Sequence, residues 1–252
     1  MRLGQHFLKN ERALKLIARS LNLKPRDNLI ELGPGHGELT KFLLASKIDF
    51  SLIAIEKDER LANSLKESFK DDRLCVAVGD LRIIVPQLAE RFSKYKLAGN
   101  IPYYLSGYLF RLIQECKTKP EKIIFTLQRE VAERIMAKPG KMNKLAASVQ
   151  FWAKPKILMR LGKNDFSPPP EVDSAVLELI PLNKLPMPPE KYYELMNKVF
   201  RQPRKTLANN LIFGSQIERK ALETKLRQLD IEPLLRPQDL SVPDLVKLTL
   251  HF

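Results

Sequence analysis

Asn100-Ile101-Pro102-Tyr103 is the most chemically specific stretch of this sequence. An amide, a spacer, a proline and an aromatic in that order suit the gripping of an exocyclic amine on a flat base. Such an amine is a poor nucleophile because its lone pair is delocalised into the ring. A site that attacks with it must accept hydrogen bonds from both amine hydrogens and localise the pair toward an electrophile. Asn100 offers a side-chain carbonyl oxygen, and the peptide carbonyl of Ile101 offers a second acceptor. Proline fixes its own φ at about −65° and restricts the residue before it, so Pro102 holds that carbonyl in place. Tyr103 supplies a face on which a base could stack. The plain alternative is a strand-ending turn that contains Asn and Pro, and the motif alone does not choose between the two.

A second constellation lies upstream. Glu31-Leu32-Gly33-Pro34-Gly35-His36-Gly37 ends an apolar run and opens a helical pattern, and glycines at such a turn let the backbone approach a ligand closely. The spacing lacks the third glycine of the dinucleotide fingerprint. The acidic Glu31 before it would oppose a pyrophosphate but suits a cofactor carrying a cationic sulfonium and an amino group. S-adenosylmethionine therefore fits better than a nicotinamide dinucleotide. Glu56 ends the next run, where a carboxylate can accept from ribose hydroxyls, and Asp80 ends the third, where it could accept from an adenine amino group. Read blandly, Glu56 merely precedes a helix and Asp80 caps one. The glycine turn, Glu56, Asp80 and Asn100 nevertheless fall at the ends of four successive runs, on the edge where open α/β sheets bind ligands.

Those runs are Asn28-Gly33, Phe50-Glu56, Leu74-Asp80, Lys96-Ile101, Lys122-Gln128, Lys156-Gly162 and Ala175-Pro181. Segments such as Asp58-Lys70 and Tyr104-Lys117 separate them, with apolar residues at three- and four-residue spacing. Strand and helix in alternation predict a mostly parallel sheet covered on both faces, an α/β fold. Between the last two runs the segment holding Pro168, Pro169 and Pro170 is too short for a crossover helix, so the last strand is expected to return antiparallel. After Pro181 a proline-rich linker leads only to helical patterns. The expected domains are therefore residues 1–182 and 183–252, the second a small all-helical C-terminal domain.

Composition narrows the partners. Lys and Arg number 43 against 29 Asp and Glu, a net charge of +14, and that imbalance points to a polyanion, with nucleic acid ahead of a membrane. No apolar run approaches the roughly 18 residues of a membrane helix, and Met1 to Asn10 has no signal-peptide core. Cys75 and Cys116 lie in apolar stretches without metal-ligand spacing, which predicts two reduced, buried thiols and a cytoplasmic protein. Phe151 and Trp152 read as core.

Gly4-Gln5-His6-Phe7-Leu8, Glu31 to Gly37, Asn100 to Tyr103, Leu127-Gln128-Arg129-Glu130-Val131-Ala132, Phe166 to Ala175 and Phe200 to Leu207 together resemble the ribosomal RNA adenine N6,N6-dimethyltransferases of the KsgA/RsmA family. The likeness extends to the tail, Leu240 to Leu245. It implies a Rossmann-like methyltransferase that moves methyl groups from S-adenosylmethionine, leaving S-adenosylhomocysteine, to two adjacent adenosines near the 3′ end of 16S-type small-subunit rRNA during ribosome biogenesis. The implied cofactor contacts are His6, Leu8, Gly33, Glu56, Asp80 and Asn100. Tyr103 and Phe166 would flank the target adenine, with Asn100, Ile101 and Pro102 orienting its amine, and no metal is implied. Three features depart from the pattern: His6 stands where many relatives have Asn, Tyr104 replaces a common Asn, and the sequence starts close to Gly4 without the basic arm of many relatives.

Arg201, Arg204 and Lys205 are the first candidates for RNA contact, with Lys138, Lys141, Lys144, Lys154 and Lys156 behind them. The expected partner is small-subunit rRNA or an assembling 30S-type particle, met by a monomer and not by a membrane. Two alternatives stand beside this reading: a large-subunit rRNA methyltransferase of the antibiotic-resistance type, and a non-catalytic RNA-binding assembly factor on the same scaffold.

Overall fold

The computed structural model describes residues 6–102 and 105–252. In chain order the elements are β1 (Phe7–Leu8), α1 (Glu11–Ser20), β2 (Asn28–Leu32), α2 (Glu38–Leu44), β3 (Ser51–Glu56), α3 (Glu59–Ser68), β4 (Leu74–Val78), α4 (Leu81–Arg91), β5 (Lys96–Asn100), α5 (Ser106–Glu115) and β6 (Lys122–Gln128). They continue with α6 (Arg129–Ile135), α7 (Lys144–Gln150), β7 (Ala153–Leu161), β8 (Phe166–Ser167), β9 (Ser174–Pro181), α8 (Pro189–Val199), α9 (Leu207–Ile212), α10 (Arg219–Gln228) and α11 (Val242–His251).

Seven strands form one sheet in the order β4-β3-β2-β5-β6-β9-β7. From β4 to β6 all pairings are parallel, and β9 runs antiparallel to β6. The mostly parallel α/β sheet with an antiparallel final strand is thus as the apolar runs predict. Both faces are covered, which is why the central strands read as continuous apolar runs instead of alternating ones. On one face Leu29, Ala98, Ile124 and Val176 pack against Ala13, Leu14 and Ile17 of α1 and Leu39 and Leu43 of α2. Asn10 starts α1 by accepting the Ala13 amide at 3.0 Å, and Asp58 and Asp80 cap α3 and α4 in the same way.

The chain divides into two compact units: Met1–Ala132 with Pro155–Pro181, and Glu133–Lys154 with Leu182–Phe252. The break after Pro181 falls where the proline-rich linker starts. The expected boundary at 182 nevertheless misses one segment, because 133–154 packs with the C-terminal helices. Phe151 stacks on Tyr192 with ring centroids 4.0 Å apart, the hydroxyls of Tyr192 and Tyr193 donate to the carbonyls of Ala147 and Ser148, and the Leu182 amide donates to the Trp152 carbonyl. Phe151 and Trp152 are fully buried, as core residues should be. One thiol needs correction: Cys116 is buried, but Cys75 is exposed, because β4 is the edge strand of the sheet.

Candidate active site

Strand register brings the polar residues of the first unit together. Glu31 on β2 pairs with Ala98, and Asn100, two residues further along β5, pairs with Thr126 on β6. Side chains two apart share a face, so Glu31, Asn100 and Thr126 stand on the same side of the sheet near its C-terminal edge. They line a narrow cleft, partly open to solvent, whose other walls are Phe7 and Leu8 of β1, Leu14 and Ile17 of α1, and the turn and helix start at Gly33, Pro34, Glu38 and Leu39.

The glycine turn needs its glycines. Gly33 and Gly35 both have φ of +62°, and a Cβ on Gly35 would lie 2.6 Å from the Phe7 ring. Phe7 therefore rests directly on the turn, and its ring also meets His36 at 4.5 Å between centroids. What holds Phe7 and Leu8 there is β8: Leu8 pairs with Phe166 and Phe7 with Ser167, while the amides of Lys9 and Asn10 donate to the Asp165 carbonyl and Asn10 Nδ2 donates to Asp165 Oδ1.

Each predicted residue can now be placed. Asn100 Nδ2 donates to the His6 main-chain carbonyl at 2.6 Å, which orients the amide with Oδ1 turned away from it. Ile101 is buried and its amide donates to the Thr126 carbonyl, so the Asn100–Ile101 peptide is anchored to β6. The His6 imidazole lies outside the cleft lining, with Nδ1 2.9 Å from the Pro168 carbonyl. Leu8 and Gly33 line the cleft. Tyr103, and the departure at Tyr104, lie outside the described residues.

Glu56 and Asp80 sit at the predicted strand ends but are engaged by the protein itself. Glu56 Oε2 accepts the Gly35 amide, and Oε1 accepts those of Lys57 and Asp58. About one of a carboxylate's four lone-pair directions is left for a ligand. Asp80 caps α4 and accepts from Arg82 Nε and Nη2 and from Lys57 Nζ. The Arg82 guanidinium, with Lys57 behind it, holds this carboxyl well below the usual range. Capping is thus what Asp80 does in this structure, and a ligand amine would have to displace the exposed Arg82 or Lys57 chains.

The resemblance implies a ring against the target base, yet Phe166 is fully buried and packs in the core with Leu8, Leu161 and Val176. Its strand pairing with β1 turns the ring inward, so it supports the cleft wall from behind.

Glu31, the acid that the sequence matches to a cationic cofactor, is buried, accepts the Thr40 hydroxyl at 2.7 Å, and burial pushes its pKa up to about 8. Two further cleft groups belong to none of the sequence motifs. Glu38 lines the same cleft, and burial raises its pKa as well. Thr126 gave one legible signal, the lone hydroxyl inside the apolar run Lys122-Gln128. Among the described residues, no three His, Cys, Asp or Glu side chains group as a metal site.

In the second unit Arg201, Arg204 and Lys205 are exposed on the turn between α8 and α9. Asn210, buried on α9, staples that turn: its Oδ1 accepts the Gln202 amide, and its Nδ2 donates to the carbonyls of Gln202, Lys205 and Thr206. The Arg201 guanidinium lies 3.8 Å from the centre of the Phe213 ring, which is itself 54% exposed. The lysines at 138, 141, 144, 154 and 156 are exposed as well.

A seven-stranded, mostly parallel sheet with a glycine turn and a polar-floored cleft at its strand ends defines a Rossmann-like methyltransferase. The model for the family described as ribosomal RNA adenine dimethylase matches residues 1–238, and the chain belongs to that family. Ribosomal RNA small subunit methyltransferase A of Dehalococcoides mccartyi strain CBDB1 is 36% identical over 256 residues, covering 99% of this chain and 87% of its own. The protein of that name from Crocosphaera subtropica is also 36% identical, over 100% of this chain and 97% of its own. Among solved structures, a dimethyladenosine transferase from Plasmodium falciparum superposes with a TM-score of 0.84 at 26% identity over 98% of this chain and 97% of its own. The 23S rRNA methyltransferase ErmE reaches 0.78 at 20% identity, covering 97% and 98%, a likeness of fold.

Proposed function

We propose that this protein transfers methyl groups from S-adenosylmethionine to N6 of two adjacent adenosines near the 3′ end of 16S-type small-subunit rRNA, giving N6,N6-dimethyladenosine. The observation that carries this reading is the Asn100 amide, pinned through Nδ2 so that a carbonyl oxygen faces away from His6 at the strand end, beside the Ile101 peptide and on the same cleft as Gly33 and Glu31. Family membership supports it, as do relatives named small subunit methyltransferase and dimethyladenosine transferase.

The cleft fits the cofactor. Gly33 offers a backbone approach that a side chain would obstruct, and Glu31 and Glu38, whose pKa values burial raises in the empty cleft, are acids whose charged forms a cationic ligand would favour. Leu8, Gly33 and Asn100 hold it in this reading, with Glu56 and Asp80 reaching its nucleoside from the neighbouring strand ends and His6 acting through its main chain. The cofactor supplies a methyl group on positively charged sulfur. Asn100 Oδ1 and the Ile101 carbonyl accept the two N6 hydrogens and localise the nitrogen lone pair toward that methyl. Tyr103 stacks on the flipped base. The N–C bond would form as the S–C bond breaks, S-adenosylhomocysteine would leave with the sulfur lone pair, and the cationic amine would lose its extra proton to water, so positioning by Asn100 and Ile101 carries the rate and no strong base is required.

Arg201, Arg204 and Lys205 contact the RNA backbone in this reading, and the partner is small-subunit rRNA within an assembling particle, met by a monomer in the cytoplasm. No helix among the described residues is long and apolar enough to cross a membrane. The deciding experiment incubates the protein with labelled S-adenosylmethionine and small subunits, or large-subunit RNA, from a strain lacking both modifications. N6,N6-dimethyladenosine near the 3′ end of the small-subunit RNA is the expected product. Label on large-subunit RNA selects the resistance-type enzyme, and RNA binding without label selects a non-catalytic relative.

A further inference from the structure

Among the described residues, Thr126 Oγ1 is the buried side-chain polar atom left without a hydrogen-bond partner. Thr126 is 1% exposed, and its own main chain is fully occupied in the sheet, where its carbonyl accepts the Ile101 amide and its Cα pairs with both Asn100 and Val176. A hydroxyl closed off from water with nothing to bond to is destabilising unless a ligand completes it. Its place narrows which ligand: it lines the cleft beside Asn100 and across from Glu31, not the end of β3 where Glu56 stands.

We propose that Thr126 is the subsite for the amino-acid end of the sulfonium cofactor, its hydroxyl donating to that end's carboxylate. The inference rests on the methyltransferase reading of the cleft and adds to it a contact that the strand-end motifs do not contain. A zwitterionic end needs both kinds of partner. Glu31, whose charged form a neighbouring cation favours, is the acceptor for its ammonium, while the Thr126 hydroxyl is a side-chain donor on the same sheet face. The surrounding walls, Leu14, Ile17 and Leu39, are apolar and strengthen any hydrogen bond made among them.

The physics predicts opposite effects on the empty and the loaded protein. Thr126→Val keeps the side-chain shape and removes the unsatisfied hydroxyl, so the ligand-free protein should melt about 2–4 °C higher. The same variant should bind S-adenosylhomocysteine about 10- to 100-fold more weakly, since a hydrogen bond to a charged group is lost. Binding of 5′-methylthioadenosine, which lacks the amino-acid end, should not change, and Thr126→Ser should bind both ligands as wild type does. Calorimetric titration of each ligand and a thermal melt of each variant read these outcomes. Unchanged S-adenosylhomocysteine affinity in Thr126→Val overturns the proposal, as does an equal loss for both ligands or a lowered melting temperature. Wild-type protein that binds neither ligand would instead remove the methyltransferase reading of the cleft itself.

Discussion

Asn100 and Glu31 share a sheet face, yet they answer to different measurements. Asn100 holds its amide by one bond to a main-chain carbonyl, and its value lies in where Oδ1 points. Asn100→Ala removes that acceptor and should lower kcat by about 100-fold or more, by analogy with loss of one preorganised polar group in other sites, while RNA affinity stays near native. Single-turnover methylation beside an RNA-binding titration checks both halves, and near-native turnover would refute the amine-gripping role. Glu31 is a buried acid with its pKa raised to about 8 by burial. Between its ordinary value and about 8 the folded protein retains a proton that the unfolded chain has released, so stability attributable to this group falls as pH rises across that window and levels off above it. Its slope there is at most about 1.4 kcal/mol per pH unit. Glu31→Gln should remove the slope, and the difference between wild-type and variant denaturation midpoints from pH 5 to pH 9 tests it.

At the scale of elements, the turn between α8 and α9 is ordered by Asn210 and presents three cations on one short segment. If Arg204 and Lys205 each neutralise a phosphate, Arg204→Ala with Lys205→Ala should weaken RNA binding and reduce the slope of log affinity against log salt by about 1.4–1.8. An unchanged slope moves the RNA surface elsewhere. The two-residue strands β1 and β8 show the opposite economy, since little more than four residues and the Asn10–Asp165 contacts place Phe7 and Leu8 over the glycine turn. That pairing is also why Phe166, which motif reasoning sends to the base, is used as internal support.

Across the whole molecule, the second unit is discontinuous, so cutting at the proline linker does not separate two intact halves. A fragment of residues 1–182 would keep 133–154 but lose Tyr192 from the Phe151 ring and the hydroxyl donors to Ala147 and Ser148. It should bind a hydrophobic dye and melt broadly below the full chain, whereas a sharp native-like melt would show that the first unit tolerates the exposed segment. The sheet, its antiparallel last strand and the glycine turn are legible in the residues alone, because they depend on local periodicity, backbone permissiveness and the short connection after β7. Tertiary structure alone decided the rest. Packing against the C-terminal helices claimed 133–154, position at a sheet edge exposed Cys75, and Arg82 and Lys57 took the acceptors of Asp80. Strand register set Thr126 beside Asn100, since the two are 26 positions apart in the chain and only the pairing of β5 with β6 makes them neighbours.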